Sequence, residues 1–155
     1  MKGNPKIIET LNDLLSDELT AINQYMVHAE MCANWRYDKL AETAEKRAIE
    51  EMKHAESLIG RILFLEGTPI VSNLKKIHIG ADVETQHRND LTSEMEAIQA
   101  YNTAIKQAVE AGDNGTRELL ESILKDEEEH LDWLEAQIEQ INTLGIKMYL
   151  VEQIG

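Results

Sequence analysis

Two acidic strings each end in a histidine: Glu50-Glu51-Met52-Lys53-His54 and Asp126-Glu127-Glu128-Glu129-His130. On a helix, residues three apart share a face, so Glu51 with His54, and Glu127 with His130, form two carboxylate–imidazole pairs. Each pair has a further glutamate upstream at one offset: Glu18 lies 33 residues before Glu51, and Glu94 lies 33 before Glu127. The pattern "Glu, then Glu-x-x-His" thus occurs twice. A lone buried carboxylate is costly unless it takes up a proton or finds a partner. Four carboxylates bear four negative charges, and two divalent cations would cancel them. Oxygen-rich ligation with one imidazole per metal suits iron or manganese, whereas structural zinc favours thiolates. The ligand set is one already known from di-metal four-helix bundles.

Four stretches of helical periodicity carry these residues. The first follows Pro5 and runs to about Ala33, the second from about Tyr37 to Glu66, the third from about Asp82 to Ala111, and the fourth from about Thr116 to Thr143. Each has an apolar stripe at three- and four-residue steps, interrupted only where Glu18, Glu51, Glu94, or Glu127 with His130 falls due. In the acidic run, Glu127 follows Ile123 by four and points inward with His130. Asp126, Glu128 and Glu129 are turned about 100° or more away and read as a solvated face or an interface. The pair midpoints fall near Asn34–Trp35 and near Glu110–Ala111, at "ANWRYD" and beside "AGDNG". Both look like turns, so each antiparallel pair sets its ligands at one height. About sixteen residues separate the second and third helices. Fully extended they would reach about 50 Å, enough to run the length of a helix of about 45 Å. The spacing predicts an all-α four-helix bundle with one long crossover, a single domain over 1–155, and a short fifth helix from the apolar tail after Gly145.

Lys and Arg number 15 against 29 Asp and Glu, a net charge of −14, which argues against nucleic acid and against anionic membrane surfaces. Cys32 is the only cysteine, so no internal disulfide forms. "MKGNPKIIET" has no apolar signal core, and no apolar run approaches a membrane span. A cytoplasmic location is the expectation.

Along its whole length the chain resembles the bacterioferritins, through "MKGNPKII", "LNDLLSDELTAINQY", "EEMKHAE", "RILFLEG", the Ile79-Gly80 pair and "ILKDEEEHLDWLE". The resemblance implies iron storage in a hollow shell of twenty-four subunits built from two-fold dimers, and a di-iron ferroxidase centre that oxidises Fe(II). Its ligands would be Glu18, Glu51, His54, Glu94, Glu127 and His130, with Glu51 and Glu127 bridging. It also implies haem b between two-fold partners, with Met52 as axial ligand, and a ferredoxin-type reductase that releases iron. The chain departs from the family's frequent residues at Leu58 (often Tyr), Lys46 (often His), Glu50 (often Asp) and Glu45 (often Tyr). Met148 and Val151 make the tail more apolar. Tyr25, seven residues after Glu18, and Trp133, three after His130, are candidates for electron transfer, although packing explains both more simply. His28, His78 and His87 read as structural or exposed. The alternative is a di-iron or di-manganese peroxidase or oxidase of the same fold that stores no mineral.

Overall fold

Helix α1, Pro5–Asn34, begins where Pro5 supplies a ready-made first-turn φ and the Asn4 side chain accepts from the Lys6 amide at 2.8 Å. The structure, a computed structural model, describes residues 1–155. α1 ends in a tight turn through Arg36, at φ 68°. Helix α2 follows as Asp38–Phe64, α3 as Val83–Glu110 and α4 as Asn114–Leu144. Asp82 caps α3 through the Thr85 amide at 2.8 Å. Asp113 caps α4 through the Thr116 amide at 3.0 Å, which starts that helix at Asn114, two residues earlier than its periodicity indicates. Gly145, at φ 80°, separates α4 from the short α5, Ile146–Val151. No strand occurs, so the chain is all-α with a long crossover over 65–82 and a short fifth helix.

α1 packs along α2 and α3 along α4, and the two hairpins face each other. One apolar cluster, including Leu11, Leu14, Leu15, Leu58, Ile62, Leu120 and Ile123, fills one end of the bundle. A smaller one at the other end joins Cys32, Leu40, Val83, Ile141 and Tyr149. Glu18, Glu51, Glu94 and Glu127 fall in sequence between the two clusters on every long helix, so a polar layer is sealed above and below by hydrocarbon. Of α5, only Tyr149 is buried; Met148, Val151 and the trailing Ile154 are exposed. No helix is long and apolar enough to cross a membrane.

The crossover has no regular backbone pairing, so its amides and carbonyls need partners elsewhere. α1 supplies them from a stripe at every fourth residue. Asn12 bonds the Thr68 carbonyl (3.1 Å) and the Ile70 amide (2.8 Å). Ser16 donates to the Asn73 carbonyl at 2.7 Å, and Thr20 Oγ1 accepts from the Lys75 amide at 2.8 Å. Gln24 accepts from the His78 amide at 3.1 Å, and His28 Nε2 from the Gly80 amide at 3.0 Å. The strap therefore runs along α1 in the same direction and delivers α3 antiparallel to it.

Candidate metal centre

The polar layer brings together all six residues singled out by spacing. Glu18, Glu51, Glu94 and Glu127 are 1–3% exposed, His130 1% and His54 6%. Their donor atoms form two groups, within each of which the atoms lie within 4.8 Å of one another: Glu18, Glu51, His54 and Glu127, and Glu51, Glu94, Glu127 and His130. Glu51 and Glu127 belong to both groups. The two imidazole rings are 6.4 Å apart and tilted by 24°.

Six buried side-chain polar atoms in the protein lack a hydrogen-bond partner: Glu18 Oε2, Glu51 Oε1, His54 Nδ1, Glu94 Oε2, Glu127 Oε1 and His130 Nδ1. There is one from each of the six residues and none from any other. His54 Nδ1 does lie 3.0 Å from Glu127 Oε1, but without hydrogen-bond alignment. A buried polar atom left unpaired is costly. Six of them converging, with no Lys or Arg in contact with the four carboxylates, fit a pair of cations that the residues are arranged to receive.

The remaining atoms of these side chains are held from across the bundle. Tyr101 donates to Glu18 Oε1 at 2.5 Å, and Tyr25 donates to Glu94 Oε1 at 2.6 Å. His54 Nε2 lies 2.9 Å from Asp126 Oδ2, and His130 Nε2 contacts Glu50. Asp126 therefore does more than coat a surface. It is half exposed, yet it holds the histidine of the opposite hairpin, so that Nδ1 faces the cluster. Such carboxylate–imidazole pairs fix the ring's orientation and tautomer and raise its basicity toward a metal.

One offset relates the whole assembly. Adding 76 to Glu18, Tyr25, Glu50, Glu51 and His54 gives Glu94, Tyr101, Asp126, Glu127 and His130. The α1–α2 hairpin and the α3–α4 hairpin are two copies of one arrangement facing each other, and each tyrosine serves the other copy's glutamate. The holding residues had a signal in the sequence: an acid precedes both Glu-x-x-His strings, and a tyrosine follows both Glu18 and Glu94 by seven.

Without a cation the cluster balances charge with protons. Burial, then the neighbouring carboxylates Glu18 and Glu127, push Glu51 well above the ordinary carboxylate range. Burial and then Glu127 do the same to Glu94. Burial would also raise Glu127, but Glu94, His130 and His54 gather around it and hold it below the usual range. For both histidines burial favours the neutral ring and is outweighed. Glu127, Glu18 and Glu51 raise His54 far above its ordinary value, and Glu127, Glu51 and Glu94 raise His130 to about 12. Burial first, and then the adjacent glutamate, keeps the Tyr25 and Tyr101 hydroxyls protonated as donors.

Leu58 is fully buried in the larger apolar cluster, so the hydroxyls at the site come from Tyr25 and Tyr101. Met52 is 45% exposed, on the outer side of α2. Lys46 and Glu45 are exposed and Glu50 half-buried. His28 and His87 are structural and His78 is exposed. His28 Nδ1 donates to Asp90 while Nε2 accepts from Gly80, and His87 Nε2 donates to the Tyr149 hydroxyl at 3.0 Å. Trp133 packs edge-on against His87, with ring centroids 5.6 Å apart.

The ferritin-like domain family matches residues 8–144. Over its full length the chain is 40% identical to the bacterioferritin of Mycolicibacterium paratuberculosis, covering 98% of that protein. It is 38% identical over the same length to bacterioferritin BfrA of Mycobacterium tuberculosis, again covering 98%. With the bacterioferritin of Rhodobacter capsulatus it shares 42% identity over 145 residues, 94% of this chain and 90% of the relative.

Proposed function

The chain belongs to the ferritin-like family, among the bacterioferritins, and from that membership we propose that it oxidises Fe(II) and stores the product as ferric mineral. The observation that carries this is the convergence of six unpaired buried donor atoms in two groups that share Glu51 and Glu127. Glu18 and His54 complete one position, and Glu94 and His130 the other. Fe(II) is the substrate, and a bound pair of irons would supply two electrons to O2 or peroxide. Four Fe(II) reduce one O2 to two waters with uptake of four protons.

The protein's own groups have separable tasks. Glu51 and Glu127 reach both positions and keep them adjacent. Tyr101 and Tyr25 hold the outer oxygens of Glu18 and Glu94, leaving the inner oxygens free. Asp126 and Glu50 aim the imidazoles. The apolar clusters at either end exclude water, so the carboxylates are not lost to solvation.

Storage requires an enclosed volume, and the proposal includes a cytoplasmic shell of twenty-four subunits assembled from two-fold dimers. A ferredoxin-type reductase would return electrons for release. Met52 is included as an axial ligand to haem b shared with a two-fold partner. Its exposed thioether fits a ligand donated at a subunit interface.

The test is aerobic addition of Fe(II) to the purified assembly, following ferric absorbance, retained iron and particle mass. Wild type should oxidise iron and retain it in a large particle, and Glu18→Ala and His130→Ala should be at least about tenfold slower. Variants that mineralise at the wild-type rate would sink the site assignment. A small oligomer that turns over peroxide without retaining iron would establish the non-storing di-metal enzyme instead. A haem spectrum lost in Met52→Leu but not in Met95→Leu would identify the axial ligand.

A further inference from the structure

A cavity of about 110 Å³ opens between α1, α3 and the crossover. Its deep side is formed by Glu18, Glu51, Glu94 and Glu127, so it leads to the cluster. Four of the orphaned atoms, Glu18 Oε2, Glu51 Oε1, Glu94 Oε2 and Glu127 Oε1, belong to residues lining it. Its outer side is lined by Asp17, Glu96 and, from the crossover, Lys75, Lys76 and His78, of which Lys75 alone is ion-paired to acids of α1. A passage for cations to such a cluster would be expected to be lined by acidic side chains alone. Here a cation stands in it. Lys75 Nζ lies 2.5 Å from Asp17 Oδ1 and 3.1 Å from Asp13 Oδ1. Its backbone is fastened by Thr20, and Ser16 and Gln24 fasten the crossover at residues 73 and 78 on either side. The backbone is tied down, but the Lys75 side chain is 44% exposed and its ammonium sits at the end of a flexible stem.

We propose that this opening is a route by which divalent cations reach the cluster, and that Lys75, latched to Asp17 and Asp13, is the residue that limits the rate of passage. The proposal rests on the reading of the cluster as a metal centre. With the latch closed, an arriving cation meets a positive charge in the doorway, and both aspartates are occupied by the ammonium, which offsets one of their two charges. With Lys75 swung to solvent, Asp13 and Asp17 become a carboxylate pair facing outward, and the cation can pass from them to Glu18. The barrier is set by charge, so it weakens with ionic strength. At contact distances of several ångströms, a unit charge against a divalent ion changes the rate by about tenfold in water-like surroundings.

The test uses the metal-free assembly and Co(II) without oxygen, so that the readout is the visible absorption of bound cobalt and not turnover. Stopped-flow mixing gives the loading rate, and a chelator chase gives the release rate. Lys75→Gln should load about tenfold faster at low ionic strength and release faster as well, so the affinity changes less than either rate. The advantage should shrink as salt is raised. Lys75→Arg should load close to the wild-type rate. Equal loading by Lys75→Gln and wild type at low salt would overturn the gate, while leaving the metal centre standing. Failure of wild type to bind cobalt with its four carboxylates and two histidines intact would overturn the metal centre, and the route with it.

Discussion

Loading the metal-free protein with two divalent cations should expel about four protons. In the empty cluster His54 and His130 are imidazoliums, because the surrounding carboxylates outweigh burial. Glu51 and Glu94 are carboxylic acids, because burial and like-charged neighbours favour the neutral form. A metal needs neutral imidazole and ionised carboxylate, so each of these four protons must leave when both cations bind. Two protons per cation make the affinity rise with pH by about 100-fold per unit, throughout the range below the raised pKa values. The sign is fixed by the direction of the shifts: protonation competes with the metal, so acid weakens binding and base strengthens it. Zn(II) titrated into unbuffered protein with an indicator dye counts the protons directly. Calorimetry in two buffers of different ionisation enthalpy gives an independent count. Glu94→Gln should lower the release by one proton, since an amide has none to give. Release of less than one proton per cation, or an affinity that is flat between about pH 6 and about pH 8, would refute the account of how the empty cluster is neutralised.

Removing the groups that aim the histidines should weaken binding without unfolding the bundle. Asp126→Ala and Glu50→Ala are each expected to cost about 10- to 100-fold in cation affinity, measured by competition with a chromophoric chelator. Leu58 is fully buried, and Leu58→Ala should cost about 2–5 kcal/mol in urea unfolding of the metal-free protein. His87 is held down to about 4, chiefly by burial, below its ordinary 6.5. Its neutral ring therefore favours the folded state fully above the unfolded value, and the contribution is lost as pH falls toward about 4, by about 3 kcal/mol at most. Trp133 lies against His87, so its fluorescence should report the loss, and His87→Phe should flatten that part of the pH profile.

The parts of the molecule visible in the sequence are those that periodicity can encode. Helix spans, the long crossover and the inward turn of Glu127 and His130 follow from which positions are apolar, and the equal offsets follow from hairpin geometry. Periodicity reports burial but not what a buried atom touches. Tyr25 and Tyr101 fit their stripes as packing residues, and only the assembled bundle shows their hydroxyls reaching Glu94 and Glu18. Asp126 sits off the stripe and reads as solvated, yet a carboxylate one step off the inward line reaches the ring of the opposite hairpin. The tail illustrates the reverse limit. Its apolar residues signal a helix seeking a surface, but within one chain only Tyr149 is fully buried, its hydroxyl partnered by Gln137 and His87. Ile146 and Leu150 pack partly beside it, while Met148, Val151 and Ile154 stay exposed.

The strap's anchors have a consequence for how this gene can change length. Asn12, Ser16, Thr20, Gln24 and His28 keep their bonds only while α1 keeps its phase, and Glu18 and Tyr25 depend on the same phase. Deleting one residue within that span would rotate everything beyond it by about 100°, unfastening the strap and withdrawing Tyr25 from Glu94 together. An extra residue between Ile70 and Asn73 would instead bulge outward between two fixed points, since even doubling a flexible loop costs only about 0.6 kcal/mol in closure entropy. Insertions and deletions should therefore be tolerated in the irregular segment and purged from the regular one beside it.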